Sequence, residues 1–291
     1  MIKFNYDFLF DVNEWAIYDF RLNIPPSSYG SDAINPHTQY SNPLARLEKY
    51  GISALGASFT LGDGNQFICH QARALLKELN GLTLKDLKES KFGIASSLIN
   101  PLQSRWISPN AGSQMMAGGL IMNTIIDLFA KKEGLPAWKY LALLSTEDIL
   151  NLSNSRWLLP EEIRDIKLIL DIGFSNIYEK CSIIENQRIP LYFTTWHGHS
   201  AETISKMIKD IYYSKNIKLF KIKISQDLQS DSKKILEIIS NISIPDIEIC
   251  VDANQVLTYD EATLWLLWCS ENKIKWLEEP FAPDNLPLFL K

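Results

Sequence analysis

The sequence predicts an α/β protein in parts: an N-terminal α+β region over 1–150, a helical connection over 151–188, and a run of βα units over 189–291. Three observations predict it. In the opening part, apolar runs with strand character come first and helical periodicity follows, the order of an α+β unit. From Ile189 onward, short apolar runs alternate with amphipathic helical stretches, the rhythm that feeds a parallel sheet. Three of those runs, KLFKIKI at 218–224, IEICVDAN at 247–254 and KWLEEP at 275–280, carry charged residues at or near their C-terminal ends. A run meant only for burial gains nothing from Lys221, Lys223, Asp252 and Glu278, because burying an unpaired charge is costly.

Taken in order, Trp15–Leu22 is predicted as a strand. Asn23–Pro43 is polar, rich in Pro and Gly and without periodicity, as lids and binding loops tend to be. Ile52–Leu61 is a second expected strand, ending in the turn Gly62-Asp63-Gly64. Gln66–Leu79 reads as a helix stopped by Gly81, and Leu84–Glu89 as a short helical turn. Ser113–Glu133 is a helix with Ile121, Ile125, Leu128 and Phe129 on one face, capped by Gly134 with Pro136 beyond. Gly118 and Gly119 weaken it, so packing must hold that turn. Pro160–Leu170 is a connecting helix with Gly173 as its stop.

In the second part the expected strands are Ile189–Thr195, Lys218–Ile224, Ile247–Ala253 and Lys275–Pro280. Between them lie a helix over Ser200–Ser214 with Ile204, Met207, Ile208 and Ile211 inward, and one turning Ile235, Ile238, Ile239 and Ile242 inward. A third is opened by the capping box Thr258-x-x-Glu261, with Ala262, Trp265, Leu266 and Cys269 inward.

Composition narrows the classes of function. The 291 residues are 46% hydrophobic and 22% charged, with a formal net charge of −5 and no block of Lys and Arg, so no nucleic-acid partner is expected. Cys69, Cys181, Cys250 and Cys269 are scattered, which argues against a disulfide framework or a thiolate zinc site and suits a reducing compartment. No apolar run approaches the roughly 18 residues that cross a bilayer, so no membrane partner is expected. The N-terminus sets Asp7, Asp11 and Glu14 around Phe8–Phe10, unlike a signal or transit peptide. Cytoplasm is the default location, with the mitochondrion left open.

Lys221 and Lys223 are two apart, so on a strand both leave the same face. Two adjacent ammonium groups repel, which would lower the pKa of one and free an amine as a base; the plain alternative is an edge strand with lysines on its solvent face. Asp252 and Asn254 likewise share a face, and Glu278 arrives one βα unit later. Carboxylates converging from neighbouring strands suit a hard cation such as Mg²⁺, against the alternative of a helix-capping Asp and a rim Glu. Glu279 is expected to point away and act as support. In a (β/α)₈ barrel, groups at the C-terminal ends of strands point into the active site, so two lysines and two carboxylates would meet in one cleft. His197 and His199 could reach that mouth, but His-x-His in a loop reads more simply as a solvated turn, and His37 and His70 have no partner at ligand spacing. Trp265, Trp268 and Trp276 read as core packing.

The motifs Phe220-Lys-Ile-Lys-Ile224, Val251-Asp-Ala-Asn-Gln255 and Leu277-Glu-Glu-Pro280 with Pro283-Asp284 resemble the enolase superfamily, specifically its L-fuconate dehydratase branch. The likeness continues upstream through Gly30-Ser-Asp-Ala33 with Tyr40-Ser41, Phe59-Thr-Leu-Gly62, Arg105-Trp-Ile107, Asp127-Leu-Phe-Ala-Lys131 and Gly134-Leu-Pro-Ala-Trp-Lys139. It implies an N-terminal capping domain followed by a TIM-type barrel, of which about four strands are present. It implies a Mg²⁺-dependent lyase that removes water from a small acid sugar such as L-fuconate, through an enediolate, to a 2-keto-3-deoxy acid. Carried over, Lys223 is the base and Lys221 contacts substrate. Asp252 and Glu278 bind the metal, Asn254 contacts substrate, and Gly30, Ser31, Asp32 and Tyr40 form the loop that closes over it.

Departures from the family pattern bear on that expectation. A TIM barrel takes about 250 residues, and the family's third metal carboxylate and acid histidine have no counterpart here, so the chain is expected to be an incomplete fragment. Asn42–Tyr50 reads as a shorter, more polar segment in place of a family strand, and Ser225 stands where the family has glycine. A racemase, epimerase or cycloisomerase of the same superfamily is the enzymatic alternative. A non-catalytic remnant that binds a partner or another half barrel is the other, and homo-oligomer formation is left open.

Overall fold

A computed structural model describes residues 2–23, 30–31, 36–37, 39–60, 64–90, 93–99, 112–153, 158–187, 191–283 and 285–290, the positions between 30 and 40 by backbone alone. The chain divides into two units, Met1–Leu22 with Gln39–Arg188 and Asn23–Thr38 with Ile189–Lys291. No helix among the described residues is long and apolar enough to cross a membrane.

The first unit opens with strand β1, Trp15–Asn23; the hairpin β2, Gly30–Ser31, and β3, Pro36–His37, follows and groups with the second unit. Strands β4, Gln39–Lys49, and β5, Ile52–Ala57, form an antiparallel pair beside β1 in the order β1-β4-β5. The expectation of a short polar segment at Asn42–Tyr50 is therefore corrected. Ser41, Pro43, Ala45 and Leu47 alternate inward, so the two-residue period is carried by small side chains that a search for bulky apolar residues passes over. Tyr50 and Gly51 close the hairpin with φ of 56° and 73°, the left-handed pair that a two-residue turn between twisted strands requires.

Helices α1, Asn65–Leu79, α2, Leu84–Glu89, and α3, Gly93–Ile99, lead to the central α4, Ser113–Lys132. On α4, Ala117, Leu120, Ile121, Ile125 and Leu128 are fully buried, one face at helical spacing. Two glycines let it seat closely. A Cβ on Gly56 of β5 would meet the Leu120 carbonyl at 2.5 Å, and one on Gly118 would meet the Leu98 carbonyl of α3 at 2.9 Å. The turn weakened by Gly118 is thus held by packing, as expected. Phe4, Phe8, Phe10 and Phe129 complete this core, Phe8 and Phe10 meeting edge to face at 5.0 Å. Then follow α5, Ala137–Ala142, α6, Thr146–Leu152, α7, Pro160–Gly173, and α8, Ile177–Asn186. The sequence reading passed over α3, α5, α6 and α8, mostly single-turn or two-turn elements with too few residues to display a period.

In the second unit β6, Tyr192–Thr195, α9, Ala201–Lys215, β7, Leu219–Lys223, α10, Leu228–Ile242, β8, Glu248–Asp252, α11, Tyr259–Glu271, and β9, Leu277–Glu278, alternate, with α12, Leu286–Phe289, after them. The strands form a parallel sheet in the order β6-β7-β8-β9. Ser200, Asp227 and Thr258 cap the three long helices with side-chain oxygens, and α9 and α10 end on Asn216 and Ser243 in the left-handed region. Phe220, Ile222, Ile224, Ile249 and Val251 leave one face of the sheet and pack with Ile204, Ile208, Ile235, Ile238 and Trp265 of the helices. Two inward assignments need correction: Leu266 is 55% exposed and Ile239 38% exposed. The buried stripe of α11 runs through Ala262, Trp265 and Cys269, and Leu266 sits one step around the helix beyond it.

Candidate active site

Strand alternation sends every residue next to that apolar face the other way, so Lys221 and Lys223 of β7, Cys250 and Asp252 of β8 and Glu278 of β9 share the second face. The register sets Lys223 beside Asp252 and Asp252 beside Glu278, in one row at the C-terminal ends of the strands. Backbone bonds carry that register beyond the strands: Ala253 N donates to Glu278 O, Gln255 N to Glu279 O and Leu257 N to Pro280 O. Asn254, Gln255 and Glu279 take positive φ to make this close approach. Exposed Glu279 thus supports the site through its backbone.

The four charged side chains meet. Lys223 Nζ lies 2.6 Å and Lys221 Nζ 3.0 Å from the same oxygen, Asp252 Oδ2, and Lys221 Nζ lies 2.6 Å from Glu278 Oε1. Asp252 Oδ1 accepts from Asn254 N at 2.9 Å. Burial pushes the Asp252 carboxyl up, but the Lys223, Asn254 and Lys221 donors outweigh it and hold the group below the usual carboxylate range. The expectation that like-charge repulsion lowers a lysine is not met at Lys221. Burial opposes its charge, yet Glu278 and Asp252 hold it above the ordinary lysine value, since the Lys221 ammonium touches two carboxylates. Between the charges Cys250 is fully buried; burial and the Glu278 charge push its thiol up to about 12, so it is inert.

Two aromatic side chains close the lower side of the cluster. Trp276 Nε1 donates to Glu278 Oε2 at 3.2 Å, and the Tyr192 ring lies 5.0 Å from Lys221 Nζ. Trp276 was expected in the core. Trp265 is there, but Trp276, 38% exposed, stands on the charged face. The signal was available, because Trp276 is two residues before Glu278 on an extended segment. His197 is not the solvated turn expected either. Its Nε2 lies 2.9 Å from Oδ1 of buried Asp231, whose Oδ2 accepts from Ser225 N at 2.6 Å and Ser225 Oγ at 2.7 Å. Lys234, which burial holds below the usual lysine range, donates to the His197 carbonyl at 2.6 Å. This knot ties the turn after β6 to the turn after β7, two residues beyond Lys223.

Of the loop residues assigned to substrate, Gly30 and Ser31 lie in β2, paired with His37 and Pro36. Tyr40 lies in β4, and Asp32 and Arg105-Trp-Ile107 fall outside the described residues.

Among the described residues no group of three His, Cys, Asp or Glu side chains is placed to hold a metal. Asp252 and Glu278 are nonetheless two hard oxygen donors that converge on one cation, the Lys221 ammonium. Beside them Asn254 Oδ1 is buried without a hydrogen-bond partner. That donor set fits Mg²⁺, which is commonly bound through one or two carboxylates with other ligands completing the shell.

A parallel βα sheet with lysines on one strand and carboxylates on the next two defines the class, and residues 203–289 match the enolase C-terminal domain-like family. The chain belongs to the enolase superfamily. It is 29% identical over 276 residues to mitochondrial enolase superfamily member 1 of Xenopus laevis, covering 93% of this chain and 62% of that protein. With L-galactonate dehydratase of Hypocrea jecorina it shares 27% identity over 277 residues, 92% of this chain and 61% of the relative. The crystal structure of human mitochondrial enolase superfamily member 1 superposes with a TM-score of 0.81 at 28% identity, over 94% of this chain and 63% of that one. L-talarate/galactarate dehydratase of Salmonella typhimurium, solved with Mg, shows the same fold at a TM-score of 0.65 and 17% identity, over 94% of this chain and 60% of that one. The chain thus spans less than two thirds of the length of these proteins.

Proposed function

We propose that this chain carries the proton-abstracting half of an acid-sugar dehydratase of the L-fuconate type. The observation that carries the reading is the meeting of Lys221 and Lys223 on one oxygen of Asp252, with Glu278 alongside, at the ends of three consecutive parallel strands. The dehydratase relative supports the reaction class, and the resemblance supports the roles.

Lys223 is the base that takes the proton α to the sugar-acid carboxylate. The C–H electron pair moves into the bond to the carboxyl carbon, giving an enediolate. Lys221, held protonated by its two carboxylates, sets a fixed positive charge against the oxygens where negative charge develops. Return of the electron pair expels the β-hydroxyl, which takes a proton from solvent and leaves as water, and the enol gives up its O–H proton while C3 takes one from solvent, giving a 2-keto-3-deoxy acid. Mg²⁺, when bound by Asp252 and Glu278, would supply further positive charge at the substrate carboxylate and compete with the ammonium groups for those oxygens. Asn254 is assigned to a substrate hydroxyl, in keeping with its unpartnered buried oxygen. Gly30, Ser31, Asp32 and Tyr40 are assigned to loop closure on the resemblance alone.

The test is proton exchange. A panel of aldonates is incubated with the chain and Mg²⁺ in D₂O, and both Cα deuteration and 2-keto-3-deoxy acid are followed by NMR. Lys223→Ala is expected to lower exchange by about 10²–10⁴-fold, the usual contribution of a general base. Undiminished exchange in that variant overturns the assignment. Exchange without keto acid would move the reading to an epimerase.

A further inference from the structure

The aromatic pair beneath the charged cluster carries an inference that rests on the metal reading above. Four contacts close a ring. Trp276 Nε1 donates to Glu278 Oε2 at 3.2 Å, and Glu278 Oε1 accepts from Lys221 Nζ at 2.6 Å. Lys221 Nζ lies 3.5 Å from Tyr192 Oη and 5.0 Å from the centre of its ring. Tyr192 and Trp276 meet edge to face with centroids 6.3 Å apart. All four side chains come from β6, β7 and the segment ending in β9, on the same face of the sheet.

An indole N–H can only donate, so Trp276 can bind a carboxylate oxygen and cannot bind a metal ion or an ammonium there. By holding Oε2 it fixes the rotation of a side chain that is otherwise only partly buried, and it leaves the other oxygen, Oε1, to the Lys221 ammonium that Asp252 also contacts. A carboxylate so held presents one oxygen to a cation. The Tyr192 ring face, meanwhile, offers the Lys221 ammonium a second place to rest when a divalent cation takes Oε1.

We infer that Trp276 is a positioning residue for Glu278, directing a single carboxylate oxygen to the cation site, and that Tyr192 receives the Lys221 ammonium displaced from it. The chemistry agrees with the general behaviour of groups that hydrogen-bond a metal-binding side chain: removing one typically weakens metal affinity 10- to 100-fold.

The experiment measures Mn²⁺ binding to the full chain by the electron paramagnetic resonance signal of free Mn²⁺, with no substrate and no turnover. Wild type is expected to bind Mn²⁺ in a manner lost in Glu278→Gln. Trp276→Phe, which keeps the ring and loses the N–H, is expected to weaken binding about 10-fold. Trp276→His, which restores a ring N–H, is expected to recover part of that loss. Far-UV circular dichroism of each variant accompanies the titration. Because Trp276 is 38% exposed and outside the apolar core, both variants are expected to fold. Wild-type binding that Trp276→Phe leaves unchanged overturns this inference and spares the assignment of Glu278. Wild type that binds no Mn²⁺ overturns that assignment and this inference with it.

Discussion

Replacing Asp231 with Asn removes one charge and almost no volume from the knot beside Lys223. The carboxylate accepts three hydrogen bonds, from Ser225 N at 2.6 Å, Ser225 Oγ at 2.7 Å and His197 Nε2 at 2.9 Å, and its side chain is only 6% exposed, so solvent screens little of the interaction. Hydrogen bonds to a charged partner contribute about 1.5–3 kcal/mol against about 1 kcal/mol for neutral ones, so an Asn oxygen kept toward Ser225 weakens those two bonds by about 1 kcal/mol each, while the NH₂ that replaces the other oxygen can no longer accept from His197. Relief of the buried charge's desolvation offsets part of the sum, leaving an expected loss of about 2 kcal/mol.

The effect depends on pH in a defined direction. Burial pushes the Asp231 carboxyl up, but His197 and Ser225 outweigh it and hold the group below the usual carboxylate range. A depressed folded-state pKa gives stability that is complete above the unfolded value and is lost as the pH falls through the folded one. Urea unfolding of wild type and Asp231→Asn at about pH 7 and about pH 3 should therefore show a gap that narrows at the acid end. An equal gap at both, or none near neutrality, refutes the account of the knot as charge-assisted.

Three further substitutions test the packing within each of the two units. Gly56→Ala would drive a methyl into the Leu120 carbonyl and Thr124 Oγ1 of α4, and a carbonyl inside a helix cannot step aside; a loss of about 1–3 kcal/mol is expected, read as a lowered Tm. Trp265→Ala, at a fully buried position between α11 and the sheet, should cost about 3–5 kcal/mol in urea unfolding. Leu266→Gln, at a 55% exposed position on the same helix, should stay within about 0.5 kcal/mol. Comparable losses at Trp265 and Leu266 would contradict the buried stripe assigned to α11.

Much of the charged face could be read before any coordinates. Lys221 and Lys223, or Asp252 after Cys250, declare a shared face by spacing alone, since alternate residues of a strand must leave opposite sides. The cap at Thr258 and the helical stripes through Ile204 and Ile235 are equally local, set by a few neighbouring residues. What stayed hidden is what depends on neighbours distant in sequence. Small inward residues of β4 such as Ala45 read as polar surface until β5 and α4 are brought against them. Lys221 is raised because strand register delivers Glu278 and Asp252 to it, and no spacing along β7 encodes that arrival.

The sequence by itself determined which side chains share a face and where helices begin, because periodicity and capping act within a turn or two of chain. Only the tertiary structure decided who is paired with whom: Lys223 with Asp252, Trp276 with Glu278, His197 with Asp231. Those partnerships are set by strand order and register, and Coulomb and hydrogen-bond energies depend on distance in space, which the order of residues along the chain does not carry.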